Sequence, residues 1–220
     1  MTKKYGSNIV LNQVNLSFEN GNVYGIVGEN GAGKTTLFRC ISGLEDFEGD
    51  IFSDINPIKN HLGLLLTDPY FFNKITGREY IQLLSNARRK SISDIDSKNI
   101  FHLPLDQYAS TYSTGMKKKL AFTAILFQGN DIFILDEPFN GVDIQSNIII
   151  TEIIHKLKAL GKLVIISSHI FSTLEDTCDE IHLLSKGILK RSVQKADFKS
   201  LEAEMKQMTI GDKVDNLGLQ

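Results

Sequence analysis

Apolar and polar positions alternate over Val14-Asn15-Leu16-Ser17-Phe18, Asn20-Gly21 supplies turn chemistry, and Val23–Val27 follows as a second extended run. This spacing predicts a β-hairpin. After Val27 the period changes: a glycine-rich loop leads into a helix from Lys34 to about Ser42. Leu62–Leu66 is short and wholly apolar, as a buried strand would be. Thr76-Gly77-Arg78-Glu79 matches a capping box, and Tyr80, Leu83, Leu84 and Ala87 continue it at helical spacing. From Lys90 to Ser110 the chain is polar and irregular, with Pro104, and reads as a small helical insertion.

Downstream, strands and helices alternate. Ile132–Leu135 is a continuous apolar strand; Ile150, Ile153, Ile154 and Leu157 line one face of a helix that Gly161 ends. Leu163–Ile166 is a further buried strand, followed by a helix near Phe171–Cys178, strands at Ile181–Leu184 and Ile188–Leu189, and an amphipathic helix over Ala196–Met208. Such alternation predicts an α/β fold with a mainly parallel sheet wrapped by helices.

Composition narrows the class. The 220 residues are 42% hydrophobic and 23% charged, with a net charge of −2. That is enough chain for one domain with a sizeable core. The near-neutral balance argues against a nucleic-acid partner, which calls for a basic surface. Two cysteines, Cys40 and Cys178, fit a reduced, cytoplasmic setting better than a disulfide framework. No apolar run reaches the ~18–20 residues that span a bilayer, and the N-terminus lacks a signal-peptide core, so any membrane role is expected to come through a partner.

The chemistry begins at Gly28-Glu29-Asn30-Gly31-Ala32-Gly33-Lys34-Thr35-Thr36, which fits the phosphate-loop pattern between a strand and a helix. Gly28, Gly31 and Gly33 let backbone N–H groups turn inward to cradle phosphate oxygens, with Asn30 and Ala32 completing the turn. Lys34 offers a point charge to the β- and γ-phosphates, reinforced by the helix N-terminus. Thr35 supplies a hydroxyl to Mg²⁺, and Thr36 one to the α-phosphate.

Asp136 and Glu137 directly follow the Ile132–Leu135 strand, at the sheet edge where ligands of open parallel sheets bind. Asp136 is expected to hold Mg²⁺ through a water. Glu137 is placed to polarise an attacking water as general base. Ser167, Ser168 and His169 end the next strand in the same way, and His169 could touch the γ-phosphate, orient the water, or be structural. Further candidates lie in Thr111–Leu120, "TYSTGMKKKL": Ser113 caps a helix, and Lys117, Lys118 and Lys119 read as its solvated face.

Taken in order, these motifs resemble the ATP-binding subunits of ABC transporters, over about Tyr5 to Leu189. "GENGAGKTT" resembles the Walker A loop, "IFILDEP" Walker B, "FNGVD" the D-loop and "SSH" the switch histidine. "YSTGMKKKL" stands where the family signature belongs, and its Ser-x-Gly-Met form is similar to that of exporter and bacitracin-type self-resistance subunits. The resemblance implies a P-loop NTPase core with an N-terminal antiparallel β-subdomain and a small inserted helical subdomain. It implies one cassette over residues 1–220: core 1–75 and 114–195, helical subdomain 76–113, C-terminal helix and tail 196–220. It places Tyr5 on adenine, Ser113 and Gly115 on the phosphate of a nucleotide held by a second subunit, and Asp143 across the interface between the two.

The resemblance implies catalytic roles for Glu137, His169 and Lys34, and ATP and Mg²⁺ as substrate and cofactor. Partners would be a second ATPase subunit, in a homodimer, and transmembrane permease subunits as separate chains. The protein would then be peripheral on the inner face of the membrane. Thr67 departs from the family, which has Gln or Glu there reaching toward the metal; Asp68 could replace it only if the loop shifts by one residue. Tyr70, Phe71 and Phe72 fall where a membrane subunit's helix docks, or pack between subdomains. The rival classes are a soluble ABC ATPase of ribosome, DNA or iron–sulfur assembly, and a P-loop kinase, which leaves Ser113, Gly115 and His169 unexplained.

Overall fold

The structure, a computed structural model, describes residues 1–210. The chain starts with a small antiparallel pair, β1 (Lys3–Tyr5) and β2 (Asn8–Leu11), and then enters a six-stranded sheet. That sheet comprises β3 (Val23–Val27), β4 (Leu62–Leu65), β5 (Ile132–Asp136), β6 (Leu163–Ser168), β7 (Glu180–Ser185) and β8 (Ile188–Gln194), in the spatial order β4-β5-β6-β3-β7-β8. Every pairing is parallel except β7 with β8. The hairpin expected from Val14–Phe18 and Val23–Val27 does not form. Residues 14–18 are not a strand, and β3 instead lies between β6 and β7 as one of the two central strands of the sheet. The antiparallel hairpin is one step earlier, across Gly6.

Among the described residues there are six α-helices, α1 (Lys34–Ile41), α2 (Gly77–Ala87), α3 (Thr114–Leu126), α4 (Ile144–Ala159), α5 (Ser172–Glu175) and α6 (Phe198–Ile210), of which α2 packs on α3 and the others on the sheet. The two-residue period of the strands splits their side chains between two cores. Phe133, Leu135, Val164 and Ile166 face one cluster with α3 and α4 residues; Ile132, Ile134, Leu163 and Ile165 face the other, with Leu37 and Phe38 of α1. Both cysteines are buried and free.

The Thr76 capping box forms as expected, the Thr76 side chain accepting from the Glu79 N–H and Glu79 accepting from the Thr76 N–H. The insertion after it is not helical. Between Lys90 and Tyr108 the chain runs in turns, followed by a single 3₁₀ turn at Ala109–Thr111. Arg78 bridges Asp96 and Asp106, and Ile95, Phe101, Leu103 and Leu105 are buried beneath, so side chains rather than a repeating backbone ladder organise the segment. The helix expected near Phe171–Cys178 is confined to the four residues of α5. Of the C-terminal helix and tail, the tail lies outside the described residues.

One core residue makes stability depend on pH. His182 of β7 stacks on Tyr24 at 5.8 Å and meets the edge of Phe18, with its Nδ1 2.7 Å from Ser192 Oγ. Burial lowers its pKa from 6.5 to about 4, and Glu180, 3.6 Å away, is outside hydrogen-bond reach. Below pH 6.5 the unfolded imidazole takes up a proton that the folded one refuses, so the contribution is complete above that pH and is lost as pH falls toward 4. The loss approaches about 3 kcal/mol. Urea unfolding at about pH 7.5 and 4.5 should show His182→Gln losing less stability than the parent; equal losses would refute the assignment.

Candidate nucleotide site

The site follows from strand register. Val27 of β3 pairs with Ser168 of β6, and Asp136 of β5 pairs with Ser167. Three adjacent parallel strands therefore end level, and Gly28, Glu137 and His169 emerge side by side at the carboxyl edge, where such sheets bind ligands. A cavity of about 620 Å³ opens there, lined by residues 30–36, Arg39, Thr67, Asp68, Glu137, Asn140 and His169, among others.

The phosphate loop is shaped by close approach as much as by turning. A Cβ on Gly28 would sit 2.2 Å from the Leu184 carbonyl oxygen, while Gly31 and Gly33 adopt φ of 81° and 106°. The loop thus lies against the end of β7 with its amides free to face the cavity. Lys34 is buried; its Nζ donates to the Gly28 and Glu29 carbonyls at 2.7 and 3.2 Å and lies 3.6 Å from Glu137 Oε1.

Asp136 is fully buried beneath the cavity floor and accepts three hydroxyls: Thr35 at 2.6 Å and Thr67 at 2.8 Å on Oδ2, and Ser167 on Oδ1. Among the described residues no cluster of three or more His, Cys, Asp or Glu could hold a metal. An oxygen set of two hydroxyls and one carboxylate nevertheless fits Mg²⁺, which takes few protein ligands and keeps water and phosphate oxygens in its shell. Thr67, shorter than the Gln or Glu expected from the family, contributes its hydroxyl to this set rather than reaching across the cavity.

Glu137 adopts a left-handed backbone, φ 52°, uncommon for a residue with a side chain. Its N–H donates to Ser167 Oγ at 3.0 Å, and its Oε2 is 2.9 Å from His169 Nδ1. The carboxylate is therefore held between Lys34 and His169, facing the cavity, as a base acting on a positioned water requires.

Other expected residues lie apart. Ser113, Gly115, Asp143 and Tyr5 do not line the cavity. Ser113 caps α3, accepting from the Met116 N–H at 3.2 Å. A Cβ on Gly115 would meet the Gly141 carbonyl oxygen at 2.6 Å, so the start of α3 packs directly on the loop after Glu137. Asp143 caps α4 and pairs with Lys119 at 3.1 Å, contacts that hold its carboxyl well below the usual carboxylate range. Tyr5 is half exposed in the hairpin, with Lys3 Nζ 4.9 Å above its ring.

The lysines expected on a solvated face are not all solvated. Lys119 is largely enclosed, and Lys118 is 2% exposed. The signal was present: Lys118 falls on the stripe 118-121-122-125, every other member of which is apolar and buried. Arg39, which also lines the cavity, carried no sequence motif, and Asn140, another lining residue, lay within the D-loop run without being singled out.

The family model described as ABC transporter matches residues 11–140. The bacitracin transport ATP-binding protein BcrA of Enterococcus faecalis is 30% identical over 228 residues, spanning 96% of this chain and 73% of that protein. The lantibiotic transport ATP-binding protein SrtF of Streptococcus pyogenes is 30% identical over 201 residues, 85% of each. A solved dimeric ATP-binding cassette in a post-hydrolysis state, bound to ADP and Pi, has the same fold, with a TM-score of 0.76 at 21% identity over 88% of this chain and 95% of that one. The phosphate loop, the paired carboxylates at a strand end and the family match therefore lead to one conclusion: this chain is an ATPase cassette of the ABC transporter family.

Proposed function

We propose that the chain is the ATP-hydrolysing subunit of an exporter that works as a dimer of cassettes and drives separate membrane subunits. The observation that carries the reading is the division of the site. Lys34, Thr35, Glu137 and His169 converge on one cavity, while Ser113 and the N-terminus of α3 lie outside it. Ser113 and that helix start form a second anion site, useful only when another molecule presents a nucleotide. In the proposed cycle Tyr5 stacks on adenine and the amides of residues 30–36 hold the phosphates. Bound Mg²⁺, held through Thr35, Thr67 and Asp136, would neutralise phosphate charge. Glu137 takes the proton of the attacking water, and His169 holds the Glu137 carboxylate in position. Ser113, Gly115 and Asp143 meet the partner's nucleotide. The differential affinity of ATP for the closed dimer supplies the work.

We further take residues 1–220 as one cassette with the boundaries expected above. Membrane coupling is supported by Tyr70 and Phe72, which are 74% and 55% exposed and pack edge to face beyond Thr67 and Asp68. Among the described residues no helix is long and apolar enough to cross a membrane, so a permease chain would anchor the subunit on the inner face. Export of an antimicrobial peptide or similar amphipathic compound is supported by the relatives named for bacitracin and lantibiotic transport.

The test is mass in solution with Glu137→Gln, which removes the general base and should leave bound ATP intact. Adding ATP should double the mass, and Ser113→Ala in the same background should weaken that shift. A variant that binds ATP yet stays monomeric, alone and with a co-purifying multi-span protein, would overturn the dimer; recovery with nucleic acid instead would overturn the transporter.

A further inference from the structure

Lys118 has no part in the mechanism above, yet it is more deeply enclosed than any other lysine among the described residues. It sits on α3, between one and two turns beyond Ser113. Its Nζ donates to the Glu137 carbonyl at 2.8 Å and to the Asn140 carbonyl at 2.7 Å. Among the described residues no carboxylate lies within 4 Å of it, so two main-chain oxygens receive the charge. Burial draws the ammonium below the usual lysine range, opposed by the Glu137, Asp68 and Asp136 carboxylates. A lone buried cation is costly and persists only where its hydrogen bonds are good.

The receiving backbone is itself strained. Glu137, at φ 52°, has its N–H bound by Ser167 and its carbonyl shared between Lys118 and the Asn140 N–H. A left-handed residue with a side chain is retained only when its surroundings over-determine it. Of the side chains that bind this backbone, Ser167 comes from the same sheet as Glu137, whereas Lys118 comes from α3.

We propose that Lys118 is a positioning residue for hydrolysis: its ammonium ties the helix that begins at Ser113 to the main chain of Glu137 and so aims the general base. A protomer's surface for its partner's nucleotide and its own base would then share one rigid element, because Gly115 packs against Gly141 on the same loop. The inference rests on the ATPase reading above.

The experiment is a double-mutant cycle on the full chain. Lys118→Met removes the donors and keeps the stem. It should lower kcat about tenfold or more while KM and the dissociation constant of a fluorescent ATP analogue stay within about threefold. Lys118→Gln, which keeps an N–H donor, should regain part of the loss. Because Lys118 acts through Glu137, Lys118→Met should slow the residual turnover of Glu137→Gln by less than about twofold. A merely structural lysine would give additive losses. The proposal is overturned if Lys118→Met keeps kcat within about twofold, if KM rises in step, or if the losses add. Should Lys118→Met fail to fold, Lys118→Leu, which also lacks a donor, takes its place in the cycle and decides by the same criteria. Absence of hydrolysis in the parent protein would strike the ATPase reading instead.

Discussion

Glu137→Gln is expected to reduce ATP turnover by about 10²–10⁴-fold, the range a positioned general base supplies. That is roughly 3–5 kcal/mol of transition-state stabilisation. The amide has nearly the shape of the carboxylate and can still face His169 Nδ1, 2.9 Å from Oε2 in the parent, so the local structure should survive. What is lost is the ability to accept a proton. Nucleotide affinity should hold or rise, since Lys34, 3.6 Å from Oε1, no longer faces a competing carboxylate. Phosphate release and equilibrium binding of an ATP analogue measured together check this. A variant with normal turnover would remove Glu137 from the chemistry, and one that cannot bind nucleotide would make its role structural.

Gly28→Ala is expected to abolish nucleotide binding and to destabilise the fold. The new methyl group would need the space 2.2 Å from the Leu184 carbonyl oxygen and 3.1 Å from the Ala32 Cβ. A strand carbonyl cannot swing aside, so the loop must lift from β7, and overpacking of this kind costs about 1–3 kcal/mol or more. The same shift displaces the Gly28 carbonyl that Lys34 Nζ grips at 2.7 Å, and with it the lysine. Gly31→Ala is the control. Nothing lies within 4 Å of its Cβ, but φ is 81°, so only backbone strain of about 1–2 kcal/mol is added. Thermal unfolding and binding of the ATP analogue should rank the variants parent, Gly31→Ala, Gly28→Ala. If Gly28→Ala bound as well as Gly31→Ala, the contact with Leu184 would not shape the loop.

Much of this site was legible because its chemistry is local. A phosphate cradle needs glycines, a lysine and a hydroxyl at fixed spacing on one turn, and the Gly28–Thr36 run has them. Asp136 and Glu137 stood out for a similar reason, as acidic residues closing an apolar strand. Thr76 and Glu79 formed their capping box because both partners lie within one helical turn. The Val14–Phe18 hairpin failed for the opposite reason: alternation and turn chemistry describe what a segment can do alone, whereas β3 found parallel neighbours more than a hundred residues downstream. The segment after Lys90 likewise owes its shape to Arg78 meeting Asp96 and Asp106, pairings no periodicity encodes.

By itself the sequence determined the phosphate loop, the acidic pair and the strand–helix alternation from Ile132 onward, since each is written within a few consecutive residues. Only the tertiary structure decided that Thr67 joins Thr35 on Asp136, and that Lys118 is enclosed against the carbonyls of Glu137 and Asn140. It also decided that the cavity omits Ser113. The physical reason is that a side chain's partner depends on which strands and helices become neighbours. That choice minimises exposed apolar surface across the whole chain and leaves no trace in any one stretch.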